Sequence, residues 1–254
     1  MGNVSERRKQ PPQVGVSVVI LALGPVPQSD VGAGAASSGM GSTLWMPLVK
    51  RVRQPFLGQW ALPGGGLRAD HSLEQSAYAA LESTTSLHPK YLEQLYTFGD
   101  PARSHGGLPM VSIVYWALVG EADGRIDFAG GDNVKWFPVN HLPELAFDHR
   151  TIVEYAMNRL RGKIESPDIA TRLVGERFTL SQLHDVYEAI AGQRIDLANF
   201  RRKMLASGLL EDTGEKLRIG TAGSRERICG PKPERHPNRT TLELLSRMTT
   251  RYPH

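Results

Sequence analysis

Apolar residues fall into two rhythms along this chain. Near-continuous runs rich in β-branched residues, Val14 to Leu23, Leu44 to Val49 and Met110 to Val119, predict buried strands. Tyr91 to Gly99 predicts another strand, and Trp136 to Val139 a further strand or extended segment. Helical spacing replaces this pattern twice: Leu73, Ala77, Ala80, Leu81 and Leu87 form a stripe over 72–86, and Ile152, Tyr155, Ala156 and Leu160 share one face of a helix from His149 to Arg161. The basic residues 1–13 and the Gly/Ser/Pro/Ala-rich stretch 24–43 lack either rhythm, so a disordered tail and a flexible insertion are expected there.

Beyond a linker at 162–176 the pattern changes. Thr179 followed by Gln182 spells a capping box, opening a helix through Ala191 that Gly192 closes. Asp196 caps a second helix, Leu197 to Ser207, and Gly208 ends it. Helix, short turn, helix suits a helix-turn-helix but equally any pair of antiparallel helices. Projection at 100° per residue puts Leu197, Phe200, Met204 and Leu205 on one face and Asn199, Arg202, Lys203 and Ala206 opposite, with Arg201 near the core edge. After a turn at Glu211 to Lys216, Leu217 to Ile219 and Arg227 to Cys229 predict two short strands: a wing carrying Arg225 and Arg227, or a plain basic hairpin.

Charge sharpens the division. Residues 1–160 carry 13 Lys+Arg and 14 Asp+Glu, whereas 161–254 carry 17 and 12. A basic excess confined to the carboxy-terminal unit is the footprint of a nucleic-acid module. Asn reads adenine edges, Arg reads guanine or phosphate, and Lys meets phosphate, so Asn199, Arg201, Arg202, Lys203, Arg225 and Arg227 are the expected contacts to double-stranded DNA. The single cysteine, Cys229, excludes an internal disulfide framework, no apolar run is long enough to span a membrane, and the first twelve residues are not signal-like. A cytoplasmic protein without a membrane partner is expected.

The run Leu62-Pro63-Gly64-Gly65-Gly66-Leu67 and the helix after it resemble a Nudix box, whose pattern is Gly, five residues, Glu, seven residues, Arg-Glu-U-x-Glu-Glu-x-Gly-U, with U aliphatic. Laid on Gly65, the glutamates and the arginine fall on His71, Ala79, Ala80, Ser83 and Thr84, and the closing glycine on Ser86. Magnesium needs oxygen ligands, commonly one or two carboxylates with substrate phosphates. Alanine supplies none and hydroxyls lack the charge, so no metal and no catalytic residue is expected here. The alternative is a nucleotide-diphosphate hydrolase with substitute ligands such as Asp70, Glu74 and Glu82. No histidine spacing suggests zinc, and His149 reads as a structural hydrogen-bonding residue.

Further motifs extend the resemblance. Gly58-x-Trp60-Ala61-Leu62-Pro63-Gly64-Gly65, Thr97-Phe98-Gly99-Asp100-Pro101, Ala146-Phe147-Asp148-His149, Phe178-Thr179-Leu180 and Asn199-Phe200-Arg201-Arg202-Lys203 occur in the order seen in NrtR proteins, Nudix-related regulators of NAD metabolism. The resemblance spans about residues 14 to 220. It implies a Nudix-like α/β/α sandwich with a mixed sheet over 14–161, for effector binding and dimerisation, then an α+β winged helix-turn-helix over 177–254. It further implies a homodimeric repressor of NAD synthesis or salvage genes on a palindromic operator, with ADP-ribose or a related nucleotide as effector and no cofactor. Arg53 and Arg103 are the expected phosphate partners and Trp60 the adenine surface, unless Trp60 belongs to the core. Where the family has an Arg- and Asp-containing loop after the Gly-Asp-Pro run, this chain has Ala102-Arg103-Ser104-His105-Gly106-Gly107.

Overall fold

A computed structural model describes residues 11–27, 41–89, 91–104, 109–120, 126–164, 167–175, 177–219 and 224–231. The expected tail, most of the expected insertion and the segment after Pro231 lie outside these residues. The longest strand, β1 (Gln13–Gly24), pairs in parallel with β6 (Met110–Val119) and antiparallel with β2 (Thr43–Lys50). The short strands β3 (Trp60–Ala61) and β4 (Gly64–Gly66), then β5 (Tyr91–Phe98) and β7 (Val134–Pro138), complete a seven-stranded mixed sheet in the order β3-β2-β1-β6-β5, with β4 on β1 and β7 on β2.

Alternation along β1 explains the layers. Val16, Val18, Ile20 and Ala22 face the cluster that buries Ala77 and Leu81 of α1 (Leu73–Thr85). Val19 and Leu21 face the opposite cluster, which includes Ile152, Val153, Ala156 and Leu160 of α2 (His149–Lys163). Side chains of a strand point alternately to its two faces, so one apolar strand buries both. The result is an α/β/α sandwich.

The segment expected to be a linker carries a helix, α3 (Pro167–Val174), whose Ile169, Ala170 and Leu173 are buried in the α2 cluster. A short amphipathic repeat hidden among charged residues obscured it in the sequence. The same cluster takes in Leu183, Val186, Tyr187 and Ile190 of α4 (Leu180–Ala191) and Phe200 and Met204 of α5 (Leu197–Ala206). The core of the carboxy-terminal unit is therefore continuous with that of the sandwich. Arg161 of α2 also donates to the Ile190 carbonyl of α4 at 3.3 Å.

Capping fixes the helix pair. Thr179 and Gln182 bond reciprocally at the start of α4, Gly192 ends it at φ 69°, and Asp196 accepts from the Asn199 amide at 2.7 Å to start α5. Behind them β8 (Phe178–Thr179), β9 (Leu210–Ile219) and β10 (Ser224–Pro231) form a three-stranded sheet in the order β8-β10-β9. The expected turn at Glu211 to Lys216 lies within β9. Its Asp-Thr-Gly sequence makes an irregularity opposite Arg227 to Cys229 in which the Gly214 amide bonds Asp212, so the turn signal marked a bulge rather than a strand end.

Candidate functional site

Three groups of residues carry candidate chemistry. The first is the Nudix-like loop and helix. Leu62 is buried, and its amide donates to Nδ1 of the buried His149 at 2.9 Å. Burial pushes that imidazole down to about 4, so it stays neutral and accepting at physiological pH. Gly64 then runs so close to β1 that a Cβ would sit 2.3 Å from the Val16 carbonyl oxygen. Ser72 and Gln75 form a second capping box that starts α1. Ser86, at the position of the pattern's closing glycine, ends the helix in the left-handed conformation, φ 55° and ψ 24°, with its amide bonded to Glu82. The glycine of the pattern thus corresponds to a helix-ending geometry that serine here adopts under strain.

Around that helix no carboxylate stands at the metal-ligand positions, and the two hydroxyls there are bonded to the helix backbone. Ser83 and Thr84 donate to the Ala80 carbonyl at 3.0 and 2.7 Å, and Ala79 is exposed. Asp70 is held by Arg68 at 2.8 and 3.1 Å, with His71 beside it at 3.0 Å, and the Arg68 hydrogen bond keeps its carboxyl well below the usual carboxylate range. Glu74 and Glu82 are exposed. Among the described residues, the group of His, Asp and Glu side chains near enough to share a cation lies elsewhere: His184, Asp185 and Glu188 of α4. There His184 Nε2 meets the Ile195 carbonyl at 2.7 Å and Glu188 accepts the Ile195 amide at 2.8 Å. Both groups grip the turn between α4 and α5, and a structural clamp accounts for them. The i, i+4 His-Glu spacing was visible in the sequence, but not the turn it grips.

The expected nucleotide partners divide. Arg53 is exposed. Arg103 is not available: its side chain is 8% exposed, it grips Asp148 through Nε at 2.5 Å and Nη2 at 2.9 Å, and it also donates to the Phe98 carbonyl and to Ser112 Oγ. Asp148 precedes α2 yet caps nothing, because its carboxylate is committed to this arginine. Trp60 belongs to the core: it is half-buried, stands edge-on to Phe137 with centroids 5.1 Å apart, and pairs with Leu145. A residue missed in the sequence is Arg51, whose guanidinium lies 4.5 Å from the Phe147 ring centre and donates to the Pro55 carbonyl.

The third group is α5. Phe200 and Met204 are buried, but Leu197 is 37% and Leu205 64% exposed, so the buried stripe is narrower than the projection suggested. Asn199, Arg202 and Lys203 are exposed on the other face, and Arg202 donates to Asn199 at 2.8 Å. Arg201 does not join them: it donates to Ser181 of α4 at 3.1 Å and to Glu226 of β10 at 2.8 Å, stapling the two helices to the wing. Arg227 is exposed and pairs with Asp212 at 2.9 Å, and Arg225 lies on β10 opposite Arg218.

A mixed-sheet sandwich with a Nudix-like loop and helix, continuous with a capped helix pair and wing, defines a Nudix domain followed by a winged helix. The model of the NrtR DNA-binding winged helix domain matches residues 170–225, and that of the NUDIX domain residues 33–156. The chain is 31% identical over 172 residues, 66% of its length and 68% of the relative's, to the ADPR responsive transcriptional repressor NtrR of Acinetobacter baylyi. The crystal structure of Shewanella oneidensis NrtR complexed with a 27mer DNA matches with TM-score 0.65 and 32% identity, covering 87% of this chain and 94% of that one. The chain belongs to the NrtR family. It is also 33% identical over 118 residues, 45% of its length and 67% of the relative's, to an ADP-ribose pyrophosphatase of Methanocaldococcus jannaschii.

Proposed function

We propose that this protein is a DNA-binding repressor of genes for NAD synthesis or salvage, acting as a homodimer on a palindromic operator and answering to ADP-ribose or a related nucleotide. The observation that carries it is the face of α5: Phe200 and Met204 anchor the helix while Asn199, Arg202 and Lys203 are presented together to solvent. That is the side-chain set a recognition helix uses in a major groove. Arg225 and Arg227 on β10 contribute backbone contacts beside it, Arg201 holds the helix in place, and Arg53 meets effector phosphate.

The similarity to the Acinetobacter repressor supports both the DNA and the ADP-ribose parts of this reading. An electrophoretic mobility assay on promoters of NAD genes tests it, with and without ADP-ribose. A palindrome shifted at nanomolar protein, in a salt-sensitive way and with ADP-ribose changing the shift, is expected. Equal retention of random duplex contradicts the DNA part, and indifference to ADP-ribose contradicts the effector part.

The similarity to the pyrophosphatase favours a second reading, hydrolysis of ADP-ribose. Alanine at 79 and 80 and the hydroxyls of Ser83 and Thr84, both committed to the Ala80 carbonyl, weigh against it. Incubation with ADP-ribose and Mg²⁺ or Mn²⁺ is expected to release no AMP, and steady release would establish the second reading.

A further inference from the structure

Two runs that carried the family resemblance, Thr97 to Asp100 and Phe147-Asp148, meet at a cavity of about 570 Å³ between the end of β5 and the start of α2. That size lies within the range of small-molecule sites. Its apolar wall is aromatic. Tyr96, 51% exposed, lines it and stands 5.2 Å from Phe98 and 4.9 Å from Tyr155, tilted 33° to the latter. Phe147 lines it as well.

Strain marks this wall. Phe147 has φ 56° and its edge-on neighbour Phe56, at 4.8 Å, has φ 65°. Bulky residues in left-handed backbone are rare and cost energy, and such strain concentrates at binding sites. The guanidinium of Arg51 lies over Phe147 as well, fixing the ring.

Charge decides which part of a ligand fits. The cavity holds the carboxylates of Asp100 and Asp148 against one cation, Arg103. That guanidinium has four of its five N–H groups committed, two to Asp148, one to Phe98 and one to Ser112. A phosphate entering here meets uncompensated negative charge. A flat base meets the exposed Tyr96 ring, and a sugar diol meets carboxylate acceptors, the pairing by which acidic residues hold ribose.

We propose that this cavity binds the nucleoside end of a nucleotide, with the base against Tyr96 and the ribose hydroxyls toward Asp100, leaving the phosphates outside. This rests on the nucleotide-effector reading above and deepens it.

Calorimetric titration of the full-length protein, its Tyr96→Ala and its Tyr96→Phe variants tests the site. The probes are adenosine, nicotinamide riboside, ADP-ribose and ribose 5-phosphate. At least one nucleoside is expected to bind, and the one that does names the base. Tyr96→Ala weakens it about tenfold, as loss of one aromatic stacking partner does, and Tyr96→Phe retains it. Ribose 5-phosphate is expected to be insensitive to Tyr96. Failure of both nucleosides to bind overturns the proposal. So does unchanged nucleoside affinity in Tyr96→Ala, including the case in which that variant dissociates a dimer in sedimentation and thereby shows this aromatic face to be a contact between copies. Nucleoside binding without ADP-ribose binding sustains the cavity and removes ADP-ribose as effector. ADP-ribose binding indifferent to Tyr96 does the reverse.

Discussion

At the residue scale, single side chains show what each position is for. Ser86 ends α1 in left-handed backbone at the place where the Nudix pattern has glycine. Ser86→Gly is expected to raise stability by about 0.5–1 kcal/mol in urea denaturation, since glycine adopts that conformation without steric cost. His149 gives a pH dependence. Its folded value near 4 lies below its ordinary value of 6.5, so between these the unfolded chain binds a proton that the native state refuses. Stability is therefore full above about pH 6.5 and falls as pH drops toward 4, by up to about 3 kcal/mol. Urea midpoints measured from pH 7.5 to 4.5 check this; the slope is expected to shrink in His149→Gln, and an equal slope would show that other groups dominate. Arg103 and Arg53 part company under substitution. Arg103→Ala is expected to cost about 2–4 kcal/mol by stranding Asp148, whereas Arg53→Ala leaves stability within about 0.5 kcal/mol and acts on nucleotide affinity alone.

At the element scale, legibility in the sequence follows from how local the cause is. Both caps of α4 and the Asp196 cap of α5 are readable because capping joins residues three or four apart in sequence. The narrow buried stripe of α5 was not, because whether Leu197 and Leu205 are covered depends on what surrounds the helix. Arg201 and Arg103 looked like ligands for the same reason: a basic side chain announces charge, but its partners, Glu226 and Asp148, lie 25 and 45 residues away. Trp60 likewise required the position of Phe137. The Asp-Thr-Gly of β9 reads as a turn in the sequence and makes a bulge in the structure, because the Asp and Gly chemistry serves both. These corrections separate the basic residues of the winged helix into two kinds with different expected phenotypes. Arg201→Ala is expected to lower the melting temperature by loosening α5 from α4 and β10, and to weaken every DNA sequence through that loss. Lys203→Ala is expected to leave the melting temperature within a degree or two of wild type and to reduce the salt slope of binding by about 1.

At the scale of the whole molecule, the sandwich and the winged helix share one apolar cluster, from Leu21 of β1 through Leu160 of α2 and Leu173 of α3 to Val186 of α4 and Phe200 of α5. Helix α3 lies in what the sequence suggested was a linker, and that packing gives the Nudix fold a direct mechanical contact with the helix pair. Calorimetry is expected to show a single unfolding transition, and Val186→Ala is expected to lower it as a whole rather than splitting it in two. In the proposed function the exposed face of α5 reads an operator. Fluorescence anisotropy with a labelled duplex from an NAD-gene promoter, comparing wild type with Arg202→Ala, tests it most directly. Tight wild-type binding that exceeds binding to a scrambled duplex is expected, with Arg202→Ala about tenfold weaker on the operator and little changed on the scrambled sequence. Equal affinities of the two proteins for both duplexes would contradict it.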